Sequence, residues 1–418
     1  MHELLLSLRR DFHAWPEIAW SEFQTTAKIA DFLSPLNCKV LLGKDAIDLK
    51  TALGREEEQI TAEFKNALER AKAASPELLP YLQQMDAISG AAAIFNEGKS
   101  PVIALRFDID CVGVDESQDP SHKPCQLGFS SKRKNLMHAC GHDAHTAIGL
   151  ALAAWLHENP INACVKLLFQ PAEEGCKGAA GMLHLLHDVD FLLSFHIGVL
   201  ARSHEVVSSP SGFLCTSKID FYFTGKAAHA GKDPEAGANA LLACANAASS
   251  LFGISRHGQG KSRVNVGFMQ AGEGRNVIAQ KAYMQAEVRG ENEEINSYMS
   301  KRAIEIAQGC ALAQGCEVEH KIVGHSIDVR NDEYLSALVS KKAQEQGFLV
   351  IENGDMGASD DASLLIKAVQ ERGKQGIYFI LGSNLTAGHH QADFDIDEAV
   401  LEPGLELLKA LLQELASR

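Results

Sequence analysis

Val102-Ile103-Ala104-Leu105-Arg106-Phe107-Asp108-Ile109-Asp110 is the stretch that decides the fold. A short apolar run that stops at two acids is the pattern of a strand buried on both faces, with polar groups collected at its carboxyl end. The pattern recurs. Val165-Lys166-Leu167-Leu168-Phe169-Gln170 runs into Pro171-Ala172-Glu173-Glu174-Gly175, and Phe191 to Phe195 ends at His196. An apolar helix is expected between the first two strands, over Thr146 to Leu156. Gly376 to Leu381 repeats the strand pattern ahead of His389-His390. Strands alternating with helices predict an α/β domain with a mixed, largely parallel sheet. Such a sheet gathers the residues that follow its strands along one edge.

The flanking sequence fits around this core. Residues 3 to 33 read as two helices broken at Trp15-Pro16. Residues 55 to 85 are charge-rich at helical spacing, interrupted at Ser75-Pro76 and Pro80, and read as an inserted helical excursion. A different rhythm follows. Ile219, Phe221 and Phe223 alternate with more polar residues, as do Val264 to Phe268 and Ala282 to Val288. Helices are expected at about Ala238 to Leu251 and Glu293 to Leu312, and a closing strand from Glu317 to Val323. That order, β-α-β-β-α-β, is the split arrangement of a ferredoxin-like α+β module, whose sheet leaves one face for a partner. A long helix over Asp395 to Leu415 completes the chain. The expected division is a catalytic domain from residues 1–214 and 325–418, with the small module, 215–324, inserted between.

Composition narrows the class. The 418 residues include 46% apolar and 22% charged side chains, as in an ordinary globular protein with a large core. No apolar stretch approaches the roughly 20 residues that span a bilayer, and the Leu4-Leu5-Leu6 patch runs at once into Arg9-Arg10-Asp11, unlike a signal peptide. A net charge of −15 argues against nonspecific binding to nucleic acid or membrane surfaces. Ten cysteines without framework spacing suit a reducing compartment. A cytoplasmic enzyme is the expectation.

The chemistry starts at Met137-His138-Ala139-Cys140-Gly141-His142-Asp143-Ala144-His145. Glycine lets the backbone turn tightly, so that Cys140 and His142 converge on one point. Thiolate and imidazole are donors that borderline metals prefer. Taken singly, each neighbour has an ordinary reading: adjacent glutamates are usually solvated, and a histidine at a strand tip is usually structural. Placement at successive strand ends makes a joint site the better account. Cys140, His142, Glu174, His196 and one of His389 or His390 supply five ligands, too many for one tetrahedral zinc with an open position. Two metals roughly 3.5–4 Å apart sharing the thiolate would use them all. Glu173 is then a spare carboxylate, suited to act as general base.

At these residues the sequence resembles the M20 metallopeptidase family, in its amidohydrolase branch marked by Met-His-Ala-Cys-Gly-His-Asp and Phe-Gln-Pro-Ala-Glu-Glu-Gly. It is most similar to the subgroup of aminobenzoyl-glutamate hydrolases, with further matches at Ser262 to Gly267, Gly274-Arg275-Asn276-Val277 and Gly388-His389-His390. The resemblance spans nearly the whole chain. It implies Cys140, His142, Glu174, His196 and His389 as ligands of two divalent metals, manganese or zinc, and Glu173 as general base. The small module would be a lid that also mediates dimerisation, with an identical or a related subunit. His229, in Gly225 to Gly231, would polarise the scissile carbonyl, and Asn276 and Arg289 would hold the substrate carboxylate. Arg289 lies on the polar face of its strand and is expected to be available for this role. The implied reaction is hydrolysis of an N-acyl amino acid, most specifically an aroyl-glutamate such as p-aminobenzoyl-glutamate. The alternatives are a non-catalytic binding subunit, a general N-acyl-amino-acid deacylase or a small dipeptidase. The chain departs from the branch at Gln391-Ala392, where proline is common, and at Asp360-Asp361, where many relatives carry glutamate.

Overall fold

The computed structural model describes all 418 residues. They divide into two compact units. The first comprises Met1–Gly212, Val329–Met356 and Asp361–Arg418; the second comprises Phe213–Asp328 and Gly357–Asp360.

The first unit is built on eight strands: β1 (Lys39–Leu42), β2 (Ala91–Phe95), β3 (Val102–Asp108), β4 (Cys164–Gln170), β5 (Phe191–Ile197), β6 (Glu205–Ser211), β11 (Leu349–Asp355) and β12 (Gln375–Leu381), the numbers between belonging to the second unit. Their order across the sheet is β1-β2-β4-β3-β5-β12-β6-β11. β4, β3, β5 and β12 run parallel to one another. β1 and β2 add antiparallel at one side, and β6 reverses direction against β12. Every residue of β3 and β4 is buried, as expected for strands covered on both faces. Helices His2–Ala14, His142–Glu158, Glu333–Glu345 and Leu401–Ala416 pack among themselves, and Ala362–Gln370 packs with the turns at 179–186. The expected excursion is present as Glu57–Ala74 and Leu79–Met85, pinned by Arg70 and Arg133, which both reach the buried Glu17.

Two helix limits differ from expectation. The central helix begins at His142, four residues before Thr146, because Gly141 adopts φ +88° and serves as its N-cap. His142 therefore sits in the first helical turn rather than in the preceding loop. The last helix begins at Leu401, not Asp395. Asp395 instead pairs with Arg9 through the backbone bend where Leu385 bridges Ile396. Pro403 falls in the first turn, where a missing N–H is tolerated.

In the second unit the sheet is antiparallel throughout, in the order β10-β7-β9-β8, from β7 (Cys215–Thr224), β8 (Ser262–Ala271), β9 (Lys281–Gly290) and β10 (Glu317–Ser326). Helices Ala240–Leu251 and Glu293–Ala313 cover one face, and Ile219, Phe221, Phe223, Met284 and Val288 form the core beneath them. Residues 357–360 join this unit because Leu214 N donates to Ala358 O (2.9 Å) and Ser359 Oγ to Leu214 O (2.7 Å).

Candidate active site

Parallel pairing puts the carboxyl ends of β3, β4, β5 and β12 on one edge, and the first unit's functional side chains arise there. Cys140 Sγ lies 3.5 Å from His196 Nε2. The donor atoms of Cys140, His142 and His196 all lie within 4.8 Å of one another, and so do those of Cys140, Glu174 and His390. Cys140 is common to both sets.

The imidazoles are aimed by main-chain acceptors. His142 Nδ1 donates to the carbonyl of Asp110 (2.9 Å) and His196 Nδ1 to that of Ile197 (2.9 Å). Each bond selects the tautomer that leaves Nε2 as a lone-pair donor facing inward. His142 Nε2 is buried with no hydrogen-bond partner. An orphaned donor nitrogen beside a thiol and two glutamates is costly in a dry interior and fits a bound divalent cation.

Without a cation the electrostatics are in conflict. Burial and the charge of Glu174 push the Cys140 thiol far up. Burial opposes protonation of His142, yet Asp108 and Cys140 raise its pKa. Burial and His145 drive His196 down; burial pushes Glu174 up, but the bond to His390 together with the charges of His142 and His390 lowers its pKa on balance. A central dication favours thiolate, neutral imidazole and carboxylate together.

The two adjacent histidines of the last loop are placed differently. The motif singled out His389, but His390 is the residue that reaches Glu174 (3.2 Å) and joins Cys140. His390 has φ +64°, which turns its side chain away from the direction of its neighbour. His389 instead packs beside the rings of His196 (5.7 Å) and Phe394 (5.1 Å).

Other members of the motif have supporting roles. His145 donates from Nδ1 to Asp108 and accepts from Ile197 N (3.1 Å), so it braces the end of β5. His138 is fully buried, and burial pulls its pKa down to about 3. Arg106, the one charge within the apolar run of β3, ties Asp108 to Gln170 and Asp361. The sequence reading gave Arg106 no role and treated Asp361 only as a departure.

The remaining predicted residues belong to the second unit. His229 bridges Val277, and Ala230 N donates to Asn276 O (3.0 Å), so His229 and Asn276 are neighbours on adjoining exposed segments. Arg289 lies on the face of β9 away from the helices, as expected, but it is not free: its Nε bonds Glu287 at 2.9 Å.

The description "Peptidase family M20/M25/M40" matches residues 104–414. The chain belongs to this family. A Haemophilus influenzae protein, described as a homolog of one of the subunits of p-aminobenzoyl-glutamate hydrolase, is 44% identical, over 99% of this chain and 98% of its own length. The indole-3-acetyl-aspartic acid hydrolase of Enterobacter agglomerans is 39% identical, over 96% of this chain and 93% of its own. The crystal structure of an aminobenzoyl-glutamate utilization protein from Klebsiella pneumoniae superposes with a TM-score of 0.80 at 33% identity, covering 98% of this chain and 95% of that one. This M20 protein is thus a metal-dependent amidohydrolase acting on a small molecule's C–N bond. No helix in it is long and apolar enough to cross a membrane.

Proposed function

We propose that the substrate is an aroyl-glutamate, p-aminobenzoyl-glutamate or a close analogue. The observation that carries the hydrolytic part of this reading is a second carboxylate, Glu173, directly beside a donor set whose two halves share Cys140. The names of the relatives support the product half: one refers to an amide of glutamate, the other to an amide of aspartate.

In this reading Cys140, His142, Glu174, His196 and His390 hold two divalent ions, manganese or zinc, which when bound supply Lewis acidity and an acidified water. Glu173 accepts a proton from the attacking water and delivers it to the leaving amine. Its Oε2 lies 3.8 Å from His142 Nε2, at the rim of the donor set. Asn276 and Arg289 hold the free carboxylate, Arg289 by exchanging Glu287 for the substrate, since a guanidinium binds one carboxylate bidentately. His229 donates to the carbonyl oxygen as negative charge builds there.

The ligand set is tested by metal counting. His390→Ala should lose about one of two bound equivalents by mass spectrometry, and His389→Ala should retain both; the opposite pattern returns His389 to the site. The substrate is tested by glutamate release from p-aminobenzoyl-glutamate with manganese or zinc added. Faster turnover of N-acetyl amino acids than of the aroyl-glutamate would replace this reading with a general deacylase.

The second unit is also proposed as lid and dimerisation module, for a second copy or a related subunit. Its edge strand β8 exposes Phe268 and Met269, each 46% accessible, beside unpaired main-chain groups. A cytoplasmic location suits the ten free cysteines.

A further inference from the structure

The loop that carries Glu173 and Glu174 is not held by its own main-chain bonds alone. Ala172 has φ +56° and Cys176 φ +52°, left-handed conformations that are unfavourable for a residue with a Cβ. Such conformations persist where the surroundings impose them. Three buried carboxylates from distant parts of the first unit do so here. Asp110 Oδ2 accepts from Glu174 N (3.0 Å), and Asp361 Oδ2 from Gly178 N (3.1 Å) and Ala179 N (3.0 Å). The third is Glu22, whose Oε1 accepts from Ala172 N at 2.8 Å, one residue ahead of Glu173.

Glu22 stands at the N-cap of helix Phe23–Leu33, where a carboxylate would ordinarily bond the first turn of its own helix. It does not. Glu17 takes that task, accepting from Thr25 N at 2.8 Å. Glu22, fully buried, is released to reach across to Ala172, and Ser89 Oγ fixes its other oxygen at 2.7 Å. The same helix makes a second hold on the loop. Thr26 Oγ1 accepts from Gly90 N (2.9 Å), and Gly90 packs so closely on Pro171 that an added Cβ would lie 2.8 Å from its ring. Past Ala172, its carbonyl accepts from Lys177 N and Gly178 N (both 3.1 Å), so the residue is anchored on both sides.

We propose that Glu22 is a positioning residue for the general base: through Ala172 N it sets the peptide that precedes Glu173 and thereby the direction of the Glu173 side chain. It touches neither substrate nor metal, and it belongs to a helix far from every active-site motif in the sequence. Burial, and then the charge of Asp110, raise its pKa to about 8, so a neutral amide is a close stand-in for it. Glutamine keeps an acceptor for Ala172 N and places a donor toward Ser89.

The test compares Glu22→Ala and Glu22→Gln with the wild type in kinetics, metal content and hydrogen exchange over residues 171–178. Its kinetic arm rests on the substrate proposed above; its exchange arm does not, so failure of the substrate reading leaves the positioning role testable. Glu22→Ala should lower kcat by about 10²-fold, the scale of a displacement of about 1 Å. KM and metal content should stay within about two-fold, and exchange should quicken at 171–178 while other segments keep their protection. Glu22→Gln should restore kcat to within about three-fold of wild type. If Glu22→Ala does not fold, Glu22→Asp, which withdraws the carboxylate by one carbon, takes its place with the same expectation. An unchanged kcat with unchanged exchange at 171–178 overturns the proposal. So does an equal loss of protection throughout the first unit, which marks a general stability role.

Discussion

Glu173→Gln should lower kcat by about 10²- to 10⁴-fold while both metal equivalents stay bound. Glutamine preserves shape and one oxygen but cannot accept and carry a proton at neutral pH. Glu173 and Glu174 are adjacent, yet their environments differ. Glu174 is bonded to His390, and its pKa is lowered against the opposing effect of burial, which suits a ligand that must remain ionised. Glu173 lies outside both sets that share Cys140; it groups with His142 and Glu174 and, separately, with Asp361. A shuttle needs that peripheral place, because an oxygen committed to a cation is a poor base. Kinetics on metal-loaded protein, with metal counted in the same sample, provide the measurement. Loss of metal in step with activity would reassign Glu173 as a ligand.

The second large effect is expected far from the chemistry, at Arg9. This guanidinium is completely buried and joins three carboxylates: Asp143 (2.9 Å), Glu398 (3.2 Å) and Asp395. Asp143 follows His142 directly, and Asp395 and Glu398 lie in the segment leading to the last helix, so one side chain ties the N-terminal helix to both. His13 completes the cluster between Asp143 (2.8 Å) and Glu116 (2.9 Å). Burial would pull its pKa down, but those two hydrogen bonds raise it to about 9. Arg9→Met would leave carboxylates buried without their cation. Breaking a buried pair from one side costs about 3–5 kcal/mol, a large share of a typical domain's stability. The midpoint of urea unfolding should fall accordingly, and soluble yield with it. A midpoint within error of wild type would show that Arg10 and Lys123, which also reach Glu398, carry the cluster alone.

Much of this architecture is legible in the sequence. β3, β4, β5 and β12 are short, nearly continuous apolar runs with polar stops, so both their existence and their functional ends can be read. The second unit is legible in full order, because half-buried strands such as β7 alternate and the helices between them do not. The strands that escape notice lack those signals. β2 opens on Ala91-Ala92-Ala93, residues with little strand preference, β6 contains Ser208-Ser209-Pro210, and β11 ends in Asn353-Gly354-Asp355. Which of His389 and His390 approaches Glu174 is a matter of local backbone conformation, which adjacent identical residues cannot reveal. The partner of Arg289 is Glu287, two positions back on the same face of the strand; alternation predicts the face but not the bond. Glu22 carries no signal at all, since its partner is a main-chain N–H.

The main-chain aim of His142 and His196 has an evolutionary corollary. The acceptors are the carbonyls of Asp110 and Ile197, a group that every amino acid, proline included, possesses. No point substitution at position 110 or 197 can delete either acceptor, although it can disturb packing around it. The orientation of the two proposed ligands is therefore buffered against mutation of the residues that impose it, and drift at those positions can retune the surroundings of the site without unaiming its histidines.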